Sequence, residues 1–234
     1  MMKFKILFFL ICGCYVSQAQ KFDVYCSTSP YLSSEVTDFK IHLYSPVFIA
    51  KRTYQNLSEV VNQYPEELVQ SEMSVTSQAW SSFNYGVNRE AEPKRYDMIK
   101  KADVTKNYAH LLYKVSYISN GIQYAIVKLH IYSEIQKDPT GFALAMKKQG
   151  NKWIICDDAA ITDLMFMMIF LKQDALKNIF ENNNTQNFVL DGFIKTSSQN
   201  GALNLNQLLS SIKNQLTKDK ISLETVLDPF RIFK

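Results

Sequence analysis

Residues 107–158 constrain the fold more than any other stretch of the chain. Asn107 to Ile118 alternates apolar and polar side chains, Asn120-Gly121 follows, and Ile122 to Tyr132 alternates again. Two alternating runs flanking Asn-Gly are a strong β-hairpin signal. Loop length then sets the faces, because a one-residue slip exchanges the two sides of a strand. A two-residue loop places Leu111 opposite His130 and Tyr113 opposite Lys128, mixing each face. A three-residue loop, Ser119-Asn120-Gly121, pairs Ala109 with Ile131, Leu111 with Leu129, Tyr113 with Val127 and Val115 with Ala125. One face is then apolar, and the other carries His110, Lys114, Lys128 and His130. The expectation is the three-residue loop, with Gly121 in the left-handed position. A second hairpin follows: Phe142, Leu144 and Met146 alternate with Ala143, Ala145 and Lys147, Gln149-Gly150-Asn151 turns, and Trp153 to Cys156 returns. Four consecutive antiparallel strands need a covering layer on at least one face.

The first 19 residues read as an export leader. Lys3 and Lys5 precede a short apolar run, and Ser17-Gln18-Ala19 places small residues at the two positions a signal peptidase reads, with cleavage before Gln20. That run is too short to span a bilayer. The alternative is a lipid anchor on Cys14, within Ile11-Cys12-Gly13-Cys14. The leader and its Ala-Gln junction resemble those of exported proteins of Bacteroidetes-type bacteria. Removing the leader leaves 24 basic against 22 acidic residues and a net charge of +2. That balance argues against a nucleic-acid surface, which needs a basic stripe. The remaining thiols, Cys26 and Cys156, are read either as a disulfide between the N-terminal arm and the last meander strand or as two separate buried thiols.

A helix should cover the sheet. Pro65 stands where a first helical residue is favoured, with Glu66 and Glu67 suited to the dipole. Leu68, Val69, Met73, Thr76, Ala79, Trp80 and Phe83 follow at helical spacing, and Gly86 is a natural stop. Before it, Phe39, Ile41 and Leu43 alternate as a strand that Pro46 ends or confines to an edge. Residues 87–106, dense in charge around Pro93, read as a solvated connection in which Tyr96 to Ile99 could pair briefly with the sheet.

Helix, bent meander, and a return strand with Gly150, Trp153, Ile155 and Asp157 resemble the cystatin-like roll of the nuclear transport factor two superfamily, over about residues 56–158. The resemblance implies a cone-shaped cavity between helix and sheet, used by some members for catalysis and by many as an interaction surface. The expected fold is therefore α+β: a helix on a curved antiparallel meander over residues 20–158. A mostly helical extension, 159–234, packs on it. In that extension, Ile161 to Phe180 reads as one helix, apolar all round from Leu164 to Leu171 and so buried on several sides, yet too short in its apolar run to cross a membrane. Phe188 to Ile194 reads as a short strand, Thr196 to Gly201 as loop, and Leu205, Leu208, Leu209, Ile212 and Leu216 as an amphipathic helix. Leu223 to Phe233 is apolar enough to dock.

Chemistry-bearing constellations are few. Of three histidines, His42, His110 and His130, the last two face each other across the hairpin, close enough to share a metal. No third ligand accompanies them, so a solvated or partly stacked pair is the reading and no metal is assigned. Asp157-Asp158 could work as acid and base if their pKa values were driven apart, but aspartate before a helix is also what an N-cap requires. Trp80 is a core residue or a stacking surface. Trp80, Tyr113, Tyr117 and Asp157 are the groups expected at the implied cavity. No nucleophile elbow or phosphate-binding glycine loop is present, and no cofactor is assigned. The expected function is an exported, non-enzymatic domain that binds a small apolar ligand or a cell-envelope protein. The rival is a cavity hydrolase or isomerase using Asp157 with a tyrosine or histidine.

Overall fold

The computed structural model describes residues 36–231 apart from Ile135, Asn182, Asn200, Gly201 and Lys220. The leader, Cys14 and Cys26 lie outside the described residues. Five strands, β1 (Val36–Lys51), β2 (Tyr108–Ser119), β3 (Ile122–Tyr132), β4 (Thr140–Gln149) and β5 (Lys152–Ile155), form an antiparallel meander in sequence order. The sheet is curved and does not close into a barrel, so the fold is α+β as expected. Helices α1 (Pro65–Ser74), α2 (Gln78–Tyr85) and α3 (Pro93–Lys101) separate β1 from β2. Helices α4 (Ala159–Phe170), α5 (Gln173–Phe180), α6 (Phe188–Ser197) and α7 (Leu205–Lys218) follow β5, with a small hairpin of β6 (Ser198–Gln199) and β7 (Ala202–Leu203) before α7.

The hairpin register combines the two alternatives. The turn is the two-residue one: Ser119 pairs with Ile122, and Asn120 and Gly121 both take left-handed angles, φ 50° and 75°. Such a turn needs positive φ twice, which Asn-Gly supplies. Tyr113 accordingly pairs with Lys128. Leu112 is then an extra residue, a β-bulge, and beyond it Leu111 pairs with Leu129 and Ala109 with Ile131, as the longer loop would have given. β1 slips at the same level: Leu43 pairs with Tyr113 but Phe48 with Leu111, leaving Tyr44 to Val47, with a cis Ser45–Pro46 bond, opposite Leu112. Pro46 does not end the strand, and β1 lies on the sheet edge.

The bulge redistributes charge. Lys114, opposite Val127, is carried to the α1 side, while Lys128 stays on the other face with His130. The expected single polar face does not exist, because both faces are covered. On one, Leu68 and Val69 of α1 pack with Leu111, Val127, Leu129, Met146 and Trp153. On the other, Ile41, Tyr113, Val115, Ile126, Ala143 and Ala145 meet α4, α5 and α7. The alanines of β4 keep that face thin, which lets α4 approach. β3 is buried continuously from Tyr124 to Leu129, the pattern of a strand covered on both sides.

Four element expectations need correction. The helix read from Pro65 to Phe83 is two, broken at Val75-Thr76, where β-branched residues are poor helix formers and Ser77 caps α2 by accepting from Trp80 N at 3.3 Å. Gly86 does end α2, at φ 66°. The charged connection contains α3, begun by Pro93, closed by Lys100 and Lys101 at the favourable end of its dipole, and anchored by buried Tyr96. The helix read from Ile161 to Phe180 breaks at Leu171-Lys172, because Leu171 bridges to Leu227 and Lys172 N donates to Val226 O at 2.8 Å. Residues 188–194 are helical, not extended: Asn187 caps α6, its Oδ1 accepting from Leu190 N at 3.0 Å. α4 is buried on several sides, with Ile161, Leu164 and Met167 to Phe170 all in the core. Among the described residues no helix is long and apolar enough to cross a membrane.

Candidate functional site

Helix α1 lies over the sheet and leaves a cleft at each end. At its N-terminal end, a cleft of about 320 Å³ is bordered by His42, Gln63, Tyr64, Lys114, Ser116, Gln123 and Trp153. Its wall mixes apolar side chains with polar groups that are bonded among themselves. Lys114 Nζ lies 2.6 Å from Glu66 Oε1, Tyr44 donates to the same oxygen at 2.5 Å, and His42 Nε2 is 3.0 Å from Ser116 Oγ. Burial alone would raise the Glu66 pKa, but the Lys114 charge outweighs it and holds the carboxyl below its usual range. Burial, reinforced by Lys114, pushes His42 down to about 4. His42 is therefore neutral at physiological pH and too weak a base to activate Ser116 efficiently.

At the other end of α1 lies a cleft of about 490 Å³ between the helix, α3 and the sheet rim. Met73, Met98, Ile99, Ala102 and Val104 make most of its lining, with Arg52, Lys101, Asn107, Ser133 and Glu134 around them. It arises locally for a clear reason. α3 turns only Tyr96 fully into the core, so Met98 and Ile99 are left over the gap, and Met98 remains 64% exposed. Arg52, just past the end of β1, reaches across and donates from Nη1 to Ile99 O at 2.8 Å and Lys100 O at 3.0 Å, satisfying carbonyls at the α3 C-terminus. Arg52 Nε and Ser133 Oγ are shut off from solvent without a hydrogen-bond partner among the described residues.

The expected site residues are not brought together. Trp80 is buried with Val60, Val75 and Tyr96, its Nε1 donating to Ser71 Oγ at 2.9 Å, and it borders neither cleft. Tyr113 lies under the C-terminal helices, where burial and then the Asp228 charge push its pKa far up. Tyr117 stacks on Tyr124 at 5.4 Å and borders the polar cleft. Asp157 is exposed. Its neighbour Asp158 occupies the N-cap position of α4 without a side-chain cap bond; its carboxylate instead meets Lys147 Nζ at 3.0 Å and Tyr124 Oη at 3.2 Å. Cys156 is buried and has no disulfide partner among the described residues.

His110 and His130 do pair across the strands, but turn to different partners. His110 leans on the rings of Tyr108 and Tyr132, whereas His130 Nε2 bonds Asp228 Oδ2 at 3.0 Å. Among the described residues no group of three or more His, Cys, Asp or Glu side chains is placed to hold a metal. The reading of residues 87–106 as solvated charge hid Met98, Ile99 and Val104. The available signal was the Met98-Ile99 pair, two apolar residues in a run where charge dominates. No protein-family model, curated protein or solved structure matches the chain.

Proposed function

We propose that the chain is a binding domain for a small apolar ligand, taken up in the cleft between α1, α3 and the sheet rim. The observation that carries this reading is a cleft of about 490 Å³ lined chiefly by Met73, Met98, Ile99, Ala102 and Val104. Its size falls in the ordinary range for ligand pockets, roughly 300–1,000 Å³, and so does its composition, apolar with a few polar groups. Methionines suit such a surface because their flexible thioethers adapt to the shape of a guest. The polar cleft is less suited to an apolar guest, since Lys114, Glu66, His42 and Ser116 line or back it.

The test is titration with the neutral fluorophore N-phenyl-1-naphthylamine. Saturable enhancement that is lost in Met73→Glu and Ile99→Glu, with α-helical circular dichroism unchanged, is the expected result. Absence of saturable binding to the wild type overturns the reading. Export is supported by the leader pattern of residues 1–19. A mature protein recovered from outside the cytoplasm with Gln20 at its N-terminus is expected; retention of the leader on such protein would count against it.

A further inference from the structure

We infer that the ligand of the apolar cleft is a single-chain amphiphile ending in a carboxylate, its head held at the cationic rim by Arg52 and Lys101; this rests on the cleft being the binding site. The charges around the cleft favour an anion. Arg52 and Lys101 are basic, and the one acidic lining residue, Glu134, is taken up by Lys106 at 2.7 Å. Basic groups therefore stand at the rim of an apolar chamber, the charge distribution complementary to a fatty-acid-like molecule.

Two details strengthen the match. Arg52 Nε, a charge-bearing donor closed off from water, and Ser133 Oγ in the same lining both lack a hydrogen-bond partner among the described residues. A buried donor without an acceptor is destabilising, so a small shift of the lining that admits a carboxylate oxygen to either group would relieve an existing penalty as well as add a contact. Arg52 is also braced, since Nη1 is fixed on the Ile99 and Lys100 carbonyls. Less rotamer freedom is then lost when the head docks. The chamber volume accommodates one chain more readily than the paired chains of a bilayer lipid.

The experiment is displacement of bound N-phenyl-1-naphthylamine from the full chain by dodecanoate, dodecan-1-ol and dodecyltrimethylammonium, at low and high salt. Dodecanoate is expected to displace the probe at concentrations roughly tenfold or more below those needed for dodecan-1-ol, as a charge-assisted hydrogen bond implies. The preference should shrink at high salt. Lys101→Met and Arg52→Met should each reduce it. Because Arg52→Met also frees two α3 carbonyls, Lys101→Met and the salt series keep the test independent of any local loosening. Equal potency of dodecanoate and dodecan-1-ol, or a preference for the ammonium, overturns the carboxylate assignment while leaving the apolar cleft intact. Failure of the wild type to bind the probe at all overturns both.

Discussion

The Asp228 carboxylate lies 2.7 Å from the Lys128 ammonium, with the two side chains 4% and 1% exposed. This contact ties the end of the described chain to the centre of the sheet. It is supported on every side: Lys128 also donates to Ile169 O at 2.9 Å, His130 Nε2 lies 3.0 Å from the same carboxylate, and Phe230 N donates to Asp228 Oδ1 at 2.8 Å. Nearby, the Gly141 amide donates to Phe230 O, and Arg231 Nη1 donates to Asp228 O at 2.8 Å. The tail is thus clamped between α4 and β4.

Breaking the buried pair should be costly in one direction and mild in the other. Asp228→Ala leaves the Lys128 charge buried without its partner and is expected to lower the unfolding free energy by about 3–5 kcal/mol. Lys128→Met combined with Asp228→Asn removes both charges and should recover most of that loss. Urea denaturation of the single and double variants measures both.

The same carboxylate should shape the acid limb of stability. Burial alone would raise its pKa, but the His130 bond and the Lys128 charge outweigh it and hold it at about 2 against an ordinary 3.8. A depressed carboxyl contributes stability above its unfolded-state pKa and loses it as pH falls through the folded-state value. Stability should therefore fall between about pH 4 and pH 2. Glu66, also held low, adds to the same limb. The urea midpoint measured against pH should show a shallower acid decline in Asp228→Asn; an unchanged slope would remove Asp228 from the account.

Two glycines that share a backbone conformation should respond differently to alanine. Gly86 (φ 66°) and Gly150 (φ 60°) both lie in the left-handed region, where a side chain costs roughly 1–2 kcal/mol. A Cβ at Gly86 would also meet Ile154 Cδ1 and Gln149 Oε1 at 2.9 Å, whereas at Gly150 it meets nothing within 4 Å. Gly86→Ala should accordingly be the more destabilising, as paired thermal melts would show.

Gly141→Ala should loosen the tail selectively. Its Cβ would stand 2.8 Å from Phe230 O, a backbone atom that cannot swing away. A loss of about 1–3 kcal/mol is expected, as for other overpacked sites. Faster hydrogen exchange at Asp228 and Arg231, with the centre of β3 unchanged, would locate the effect.

The Cys156 thiol should be inert in the folded protein. Burial pushes its pKa up to about 11, so little thiolate exists at neutral pH. Reaction with 5,5′-dithiobis(2-nitrobenzoate) at pH 8 is expected to be slow natively and rapid in denaturing urea. Fast native reaction would place the thiol in a more open setting.

Much of this fold follows from local chemistry. Alternation in β2 and β4, Asn120-Gly121 and Gly150 at the turns, Pro65 at the start of α1 and Gly86 at the end of α2 all act within a few residues. Their effect is readable because strand period and backbone angle are properties of short segments. The apolar run of α4 likewise announced burial on several sides. The candidate site was hardly legible. Trp80, Tyr113 and Asp157 scatter to a small core, a buried sheet face and the surface, while Arg52, Met73 and Met98 converge from three separate segments.

What only the tertiary structure decided comes from competition between distant parts of the chain. Leu112 is extruded because the Asn-Gly turn demands one register and the Leu111–Leu129 packing demands another, and a bulge satisfies both. Leu171 leaves its helix because pairing with Leu227 brings Asp228 to Lys128. Charged residues 87–106 form α3 because Tyr96 has a core to enter. The sequence by itself determined the meander strands, the positions of their hairpin turns, the start of α1 and the end of α2, since each depends on near neighbours. Register across the bulge, the second covered face and the cleft beside Arg52 depend on contacts separated by tens to about a hundred residues, so no local pattern encodes them.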